Sequence, residues 1–291
     1  MLRRIADSTA RIARHRPGSL WQKRLPAALA WAFMAVAAAG PVAARDGEVE
    51  VDVELVLAVD ISYSMDPEEQ ALQRSGYIEA LRSPEIMAAI RKGVNGEIAV
   101  TYMEWAGAAS QEIIADWMVI DSPESAAAFT AQLEKRPIRR YYRTSISGAI
   151  DFSVQLFERN NLHGLKRVID VSGDGSNNQG RPVTQARDDA VRKGITINGL
   201  PVMLNRPAYG YPEVEQLDVY FTGCVNGGPG AFVIPIRERN QFVDAIRTKI
   251  LLEIALAPPA ELPARVIPAQ AEAPRISCMF GERSWQQRWG N

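Results

Sequence analysis

The chain has 291 residues, 47% hydrophobic and 23% charged, with a formal net charge of −1. That length holds one large domain or two small ones, and a core of this size needs no disulfide staples. The charge is unevenly spread: residues 1–44 carry seven basic residues and one acidic, leaving 26 basic and 33 acidic residues beyond them, a net of −7 that excludes the basic footprint of a nucleic-acid binder.

At the start of the chain, a basic stretch ending in Lys23-Arg24 runs into the apolar segment Leu25 to Ala39. Gly40-Pro41 then breaks the segment, and Val42-Ala43-Ala44 offers small residues at the −3 and −1 positions before Arg45. This is the layout of a secretory signal peptide covering residues 1–44. An uncleaved anchor is the alternative, but an apolar core of this length is short for a span of ~20 residues. The expectation is a bacterial protein exported to the periplasm or beyond, with no membrane attachment after cleavage. An oxidising compartment permits the only two cysteines, Cys224 and Cys278, to bridge, and two buried free thiols are the other option.

Residues 45–257 read as one domain. Val51 to Asp60 begins with alternation and becomes a continuous apolar run, as in a strand buried on both faces. Pro67 to Leu81 is helical, with Asp66 placed as N-cap, Pro67 at N1 and Glu69 at N3 of a capping box. Strands follow at Glu97 to Trp105 and Gln111 to Ile120, joined by a short link that implies a hairpin. Helices are expected over Pro123 to Lys135 and Thr144 to Phe157, and then a strand over Lys166 to Ser172. A helix over Val183 to Lys193 closes at Gly194. Strands at Ile195 to Met203 and Ala231 to Ile236 precede a last helix over Asn240 to Leu256. Strands alternating with helices predict an α/β fold: a doubly wound, Rossmann-like, mostly parallel sheet with one antiparallel edge strand and helices on both faces. Residues 258–274 are rich in Pro and Ala and read as an extended linker. Residues 275–291 regain apolar and aromatic side chains, as a tail docked on the domain by a Cys224–Cys278 bridge would need.

Ligands of open α/β sheets bind beyond the carboxyl ends of the strands. Asp60, Ser62 and Ser64 follow the first strand, Thr144 opens a helix, and Asp174 follows the Lys166 to Ser172 strand. Two carboxylates with several hydroxyls suit a small hard cation, which takes about six oxygens. Each residue also has a plainer role: Ser64 as support for the Asp66 cap, Thr144 as an N-cap, Asp174-Gly175 as a turn former.

The order Asp-x-Ser-x-Ser, then Thr, then Asp-Gly resembles the metal-ion-dependent adhesion site of von Willebrand factor A domains. The resemblance spans roughly residues 52–256. It implies Ser62, Ser64 and Thr144 as hydroxyl ligands and Asp60 and Asp174 as the acidic pair. It also implies Mg2+, or Mn2+ or Ca2+, as the ion, and a protein partner whose carboxylate completes the coordination. The wording Arg-Thr-Ser-Ile-Ser-Gly-Ala-Ile and Val-Ser-Gly-Asp-Gly-Ser-Asn-Asn further resembles a family of exported bacterial A-like proteins of unassigned activity. Two positions depart from the A-domain pattern: Tyr63 stands where glycine is usual between the serines, and Tyr141-Tyr142-Arg143 precedes Thr144.

Other chemistry finds little footing. His163 is the one histidine after Arg45 and reads as a solvated loop residue, and no nucleophile elbow, zinc ligand set, phosphate loop or dinucleotide fingerprint is present. The expectation is a binding module rather than an enzyme. A metal-dependent hydrolase and a scaffold with a non-binding metal site are the alternatives.

Overall fold

The apolar run after Glu50 becomes the centre of the sheet. In the structure, a computed structural model that describes residues 47–204, 216–255, 262–269 and 276–290, β1 (Val49–Asp60) is buried from Val51 to its last residue. It pairs in parallel with β2 (Ile98–Trp105) on one side and β4 (Leu162–Gly173) on the other. β3 (Gln111–Ile120) returns antiparallel along β2 as the hairpin expected, with irregular register on either side of Tyr102. Beyond β4 lie β5 (Ile195–Pro201) and β6 (Phe232–Val233), both parallel, and then β7 (Ile267–Pro268), which is antiparallel to β6. The order is β3-β2-β1-β4-β5-β6-β7. The signal-peptide reading of residues 1–44 lies outside the described residues.

Alternation along β1 divides the core. Leu55, Leu57 and Val59 point to one face, against α1 (Pro67–Leu81), α2 (Pro84–Ile90), α3 (Pro123–Lys135) and α7 (Phe242–Ile254). Val56 and Ala58 point to the other, against α4 (Ile146–Glu158), α5 (Val183–Arg192) and α6 (Leu217–Tyr220), which continues into a π turn over Phe221–Val225. Helices therefore cover both faces, as a doubly wound sheet requires. Among the described residues no helix is long and apolar enough to cross a membrane.

Four differences from the sequence reading have local causes. The sheet has two antiparallel edges rather than one, because Ile267–Pro268 in the Pro/Ala-rich stretch pairs with β6. The Ala231 to Ile236 run forms only a two-residue strand, after which Ile236 bridges to Val202. His163 sits exposed near the start of β4, opposite Glu50, and not in a loop. Last, α8 (Phe280–Trp289) forms in the tail. Cys224 and Cys278 are disulfide-bonded, with Cα atoms 5.5 Å apart across a sequence separation of 54. Closing a loop of that size stabilises the fold by about 4 kcal/mol in the chain-entropy treatment.

Three ionisable groups lie buried between the sheet and α7. Lys249 stands 2.7 Å from Asp170 on β4 and also pairs with Glu253, one helical turn on; all three side chains are fully buried. Asn198 donates to Glu253 Oε1 at 3.1 Å. One ammonium thus faces two carboxyl groups. Burial, then the charge of Asp170, pushes the Glu253 carboxyl from near 4.5 up to about 7. The folded protein therefore holds a proton here that the unfolded chain releases. The stability this group contributes is complete below about pH 4.5 and is lost as the pH climbs to about 7. Glu253→Gln should flatten that decline, which urea midpoints at pH 5 and pH 7.5 will measure. An unchanged slope would remove Glu253 as its source.

Candidate metal centre

Where β1 runs out of partners, the chain turns over the carboxyl end of the sheet. The Ile61 amide donates to Trp105 O at 2.8 Å and the Tyr63 amide to Tyr141 O at 3.0 Å. The segment before α4 is thereby sewn to the Asp60–Ser64 turn. Asp60 is fully buried. Its Oδ1 accepts the Ser62 amide at 2.6 Å, whereas Oδ2 is buried without a hydrogen-bond partner. Burial pushes the carboxyl up to about 7, against the pull of hydrogen bonds from Ser62 and from the Asp174 backbone. Gly173, at the end of β4, leaves the room: a Cβ there would come within 2.9 Å of Asp60 Oδ2.

The serines form a chain above this carboxyl. Ser62 Oγ and Ser64 Oγ are 2.7 Å apart, and Ser64 Oγ donates to Asp174 Oδ1 at 2.6 Å. A hydroxyl has one proton. Ser64 spends its proton on Asp174, so the Ser62 hydroxyl is the donor in the pair. Ser64 is therefore tied to the site rather than to the α1 cap, which Asp66 and Glu69 build between themselves through reciprocal bonds of 2.8 and 3.2 Å.

Thr144 approaches from the other side of the tip. It is not the cap of α4: Ser145 is, accepting the Gly148 amide at 3.1 Å. The Thr144 side chain is left outside the helix, and its Oγ1 lies 3.9 Å from where a side chain on Gly175 would begin. Asn178 fixes the backbone there, its Oδ1 accepting the Thr144 amide at 3.0 Å and its amide donating to Thr144 O at 2.8 Å. Asn177 does the same at the second residue of α4, accepting the Ser147 amide at 3.0 Å. Gln179 joins them, its backbone O taking Ser145 Oγ at 2.9 Å and its Oε1 the Ala108 amide at 2.9 Å. Sequence reasoning assigned no role to Asn177, Asn178 or Gln179. The signal was a run of three side-chain amides one residue after the Asp174-Gly175 turn, the residue type that substitutes for missing backbone partners in loops.

Asp60, Ser62, Ser64 and Asp174 thus form one hydrogen-bonded constellation, with Thr144 beside the residue that follows Asp174. Asp60, Ser62 and Thr144 are buried, while Ser64 and Asp174 are half-buried. Among the described residues, no three His, Cys, Asp or Glu side chains converge; the oxygens gathered at the tip belong to two carboxyl groups and several hydroxyls. That set suits a hard cation such as Mg2+, and a buried carboxylate oxygen without a hydrogen bond is where a cation would remove the cost of burial.

The rim carries the two departures noted in the sequence. Tyr63 stacks on Tyr142 with ring centroids 4.4 Å apart, and the Arg140 guanidinium lies 4.6 Å over Tyr63. Arg143 has φ of +76°, the only described non-glycine residue in the left-handed region. It does not reach for Asp174: its Nη2 donates to Asn178 O at 2.9 Å, and its guanidinium covers the Trp285 ring at 3.7 Å. Trp105 is fully buried and Trp117 packs on Phe157, so neither belongs to the rim.

Residues 50–258 match the family described as Protein of unknown function (DUF1194). No curated protein matches the chain. Among solved structures, the pilus adhesin SpaC of Lactobacillus rhamnosus GG is similar at a TM-score of 0.50 and 10% identity, over 72% of this chain and 32% of its own. At that identity the likeness speaks to the fold alone. A von Willebrand factor type A protein from Catenulispora acidiphila has a TM-score of 0.47 at 12% identity, over 70% of this chain and 43% of its own. Proximal thread matrix protein 1 from the mussel byssus, solved with a zinc-occupied MIDAS motif, has 0.47 at 12%, over 70% and 47%. The chain spans about half the length of these proteins or less. The family match runs from the start of β1 to just past α7, well over half of the chain, and the protein belongs to the DUF1194 family, on a von Willebrand factor A-like fold.

Proposed function

We propose that this protein is an exported interaction module whose sheet tip holds a divalent cation, Mg2+ or in its place Mn2+ or Ca2+. Asp60, Ser62, Ser64, Thr144 and Asp174 hold the ion, directly or through water, and a carboxylate offered by a partner protein completes its coordination. The ion would add positive charge beside the Asp60 and Asp174 carboxyl groups. The observation that carries the reading is Asp60 Oδ2, buried and unpartnered beside a hydroxyl chain that ends on Asp174. A disulfide in the domain fits export to an oxidising compartment. The adhesin SpaC shares the fold at low identity, which makes adhesion a sensible class of activity to test.

Titration calorimetry with Mg2+, Mn2+ and Ca2+ is the first experiment, and one of the three should bind with a 1:1 stoichiometry. Affinity capture from an envelope fraction then follows, once with Mg2+ and once with EDTA. Proteins retained only with Mg2+ are the expected partners. Absence of binding heat and of any thermal shift with all three ions would sink the proposal.

A further inference from the structure

The tail was expected to dock through its disulfide, but it also packs against the metal tip. Ile276, Cys278 and Phe280 pack on the core between the sheet and α4 to α6, and α8 then meets the Asp174–Gln179 loop at two points and Arg143 at a third. Gly281 meets it backbone to backbone: a Cβ on this residue would lie 2.1 Å from Asn177 O and 2.5 Å from Ser176 Oγ. Glu282 Oε1 accepts Asn177 Nδ2 at 2.8 Å. Trp285 lies under the Arg143 guanidinium, which itself holds Asn178 O. The contacts therefore fall on residues 176–177, just after Asp174, and on residue 143, just before Thr144.

Asn177 is the hinge of this arrangement. Its side-chain oxygen takes the Ser147 amide of α4, its side-chain nitrogen serves Glu282, and its backbone amide donates to the Tyr220 hydroxyl at 3.1 Å. One residue thus connects the loop carrying Asp174, the helix that follows Thr144, and the tail. Arg143 pays a left-handed backbone conformation to reach the same place, a cost that persists only when surrounding contacts hold it.

We propose, resting on the metal reading above, that α8 is a positioning element for the cation: it fixes Asp174 relative to Thr144, so full affinity requires the tail seated on the loop. Gly281, Glu282 and Trp285 act through Asn177 and Arg143 and touch no ion themselves. Loss of groups that orient metal ligands typically weakens a site 10- to 100-fold, and a comparable loss is expected here.

The test uses the full chain. Mn2+ affinity is measured by calorimetry for wild type, Gly281→Ala, Trp285→Ala, Trp285→Phe and the Cys224→Ser/Cys278→Ser pair, with Gln286→Ala as an exposed control. Backbone hydrogen exchange over residues 174–181 is followed in EDTA for the same set. Gly281→Ala keeps the disulfide and the core, so it stays informative even if the cysteine pair fails to fold. Gly281→Ala and Trp285→Ala should raise the Mn2+ Kd about tenfold or more and speed exchange in that loop without affecting β1. Trp285→Phe, which keeps a ring under Arg143, and Gln286→Ala should behave as wild type. Wild type binding Mn2+ with Gly281→Ala equally tight, or with its loop exchange unchanged, overturns the positioning role and leaves the metal reading standing. Wild type failing to bind Mn2+ overturns both.

Discussion

Lys249→Met should lower the stability of the domain by about 3–5 kcal/mol, the largest effect expected of any single substitution here. Lys249, Asp170 and Glu253 are all fully buried, and among the described residues the ammonium is the one cation within ion-pair distance of either carboxyl group. Its removal leaves two like charges in a medium that cannot solvate them, so at least one must take up a proton on folding. Methionine fills most of the space the lysine stem occupied, which separates the electrostatic loss from a cavity. For a domain of this size the deficit corresponds to a fall in Tm of roughly 6–20 °C. The decisive measurement is the urea midpoint at pH 7 with an unchanged m-value, and the destabilisation should shrink at pH 5, where protonation of Glu253 is cheaper. Adding Asp170→Asn and Glu253→Gln should recover much of the loss, because a neutral trio no longer needs a counter-ion. A Lys249→Met midpoint equal to wild type would mean that the ammonium does not compensate these carboxylates.

The second large effect concerns Asp60→Asn, where two measurements should move in different directions. Asparagine keeps the shape of the side chain and an oxygen to accept the Ser62 amide, but it brings no charge to the tip. In the wild type, Mn2+ at about a hundred times its Kd should stabilise the fold by about 2.7 kcal/mol, or roughly 5–10 °C in Tm. In Asp60→Asn that response should vanish. Without metal, the variant should be at least as stable as wild type, because a neutral amide escapes the burial cost that pushes the Asp60 carboxyl up. Ser62→Ala would be less telling, since it breaks the hydroxyl chain to Asp174 as well. A Mn2+ shift of wild-type size in Asp60→Asn would remove Asp60 from the site.

Much of the sheet was legible because burial on two faces leaves a distinct mark. Val51 to Asp60 could be read as a central strand from its unbroken apolar run, and the Gln111–Ile120 hairpin from the short link before it. The start of α1 was legible to the residue, since Asp66, Pro67 and Glu69 are local signals that need no tertiary partner. α2 escaped although Ser83 as N-cap and Pro84 at N1 mark its start locally; the other missed elements have their reason for forming elsewhere in the chain. β7 is two residues long and exists because β6 offers an edge. α8 has no sustained apolar face; a covalent bond and a close glycine contact hold it down instead. At the site, residue types and chain order pointed to Asp60, Ser62, Ser64 and Asp174, which the fold gathers by hydrogen bonds. The Asn177–Gln179 hub was beyond reach, because an amide side chain declares its partners only once the backbones around it are placed.

The two antiparallel edges bear on how this protein meets others. An exposed sheet edge invites strand addition, in which a foreign peptide continues the ladder. Here one edge is β3, whose register against β2 is irregular around Tyr102, and the other is a two-residue strand ending in Pro268, which has no N–H to donate. Neither border is a long, regular template. This protects the chain against polymerising edge to edge with copies of itself.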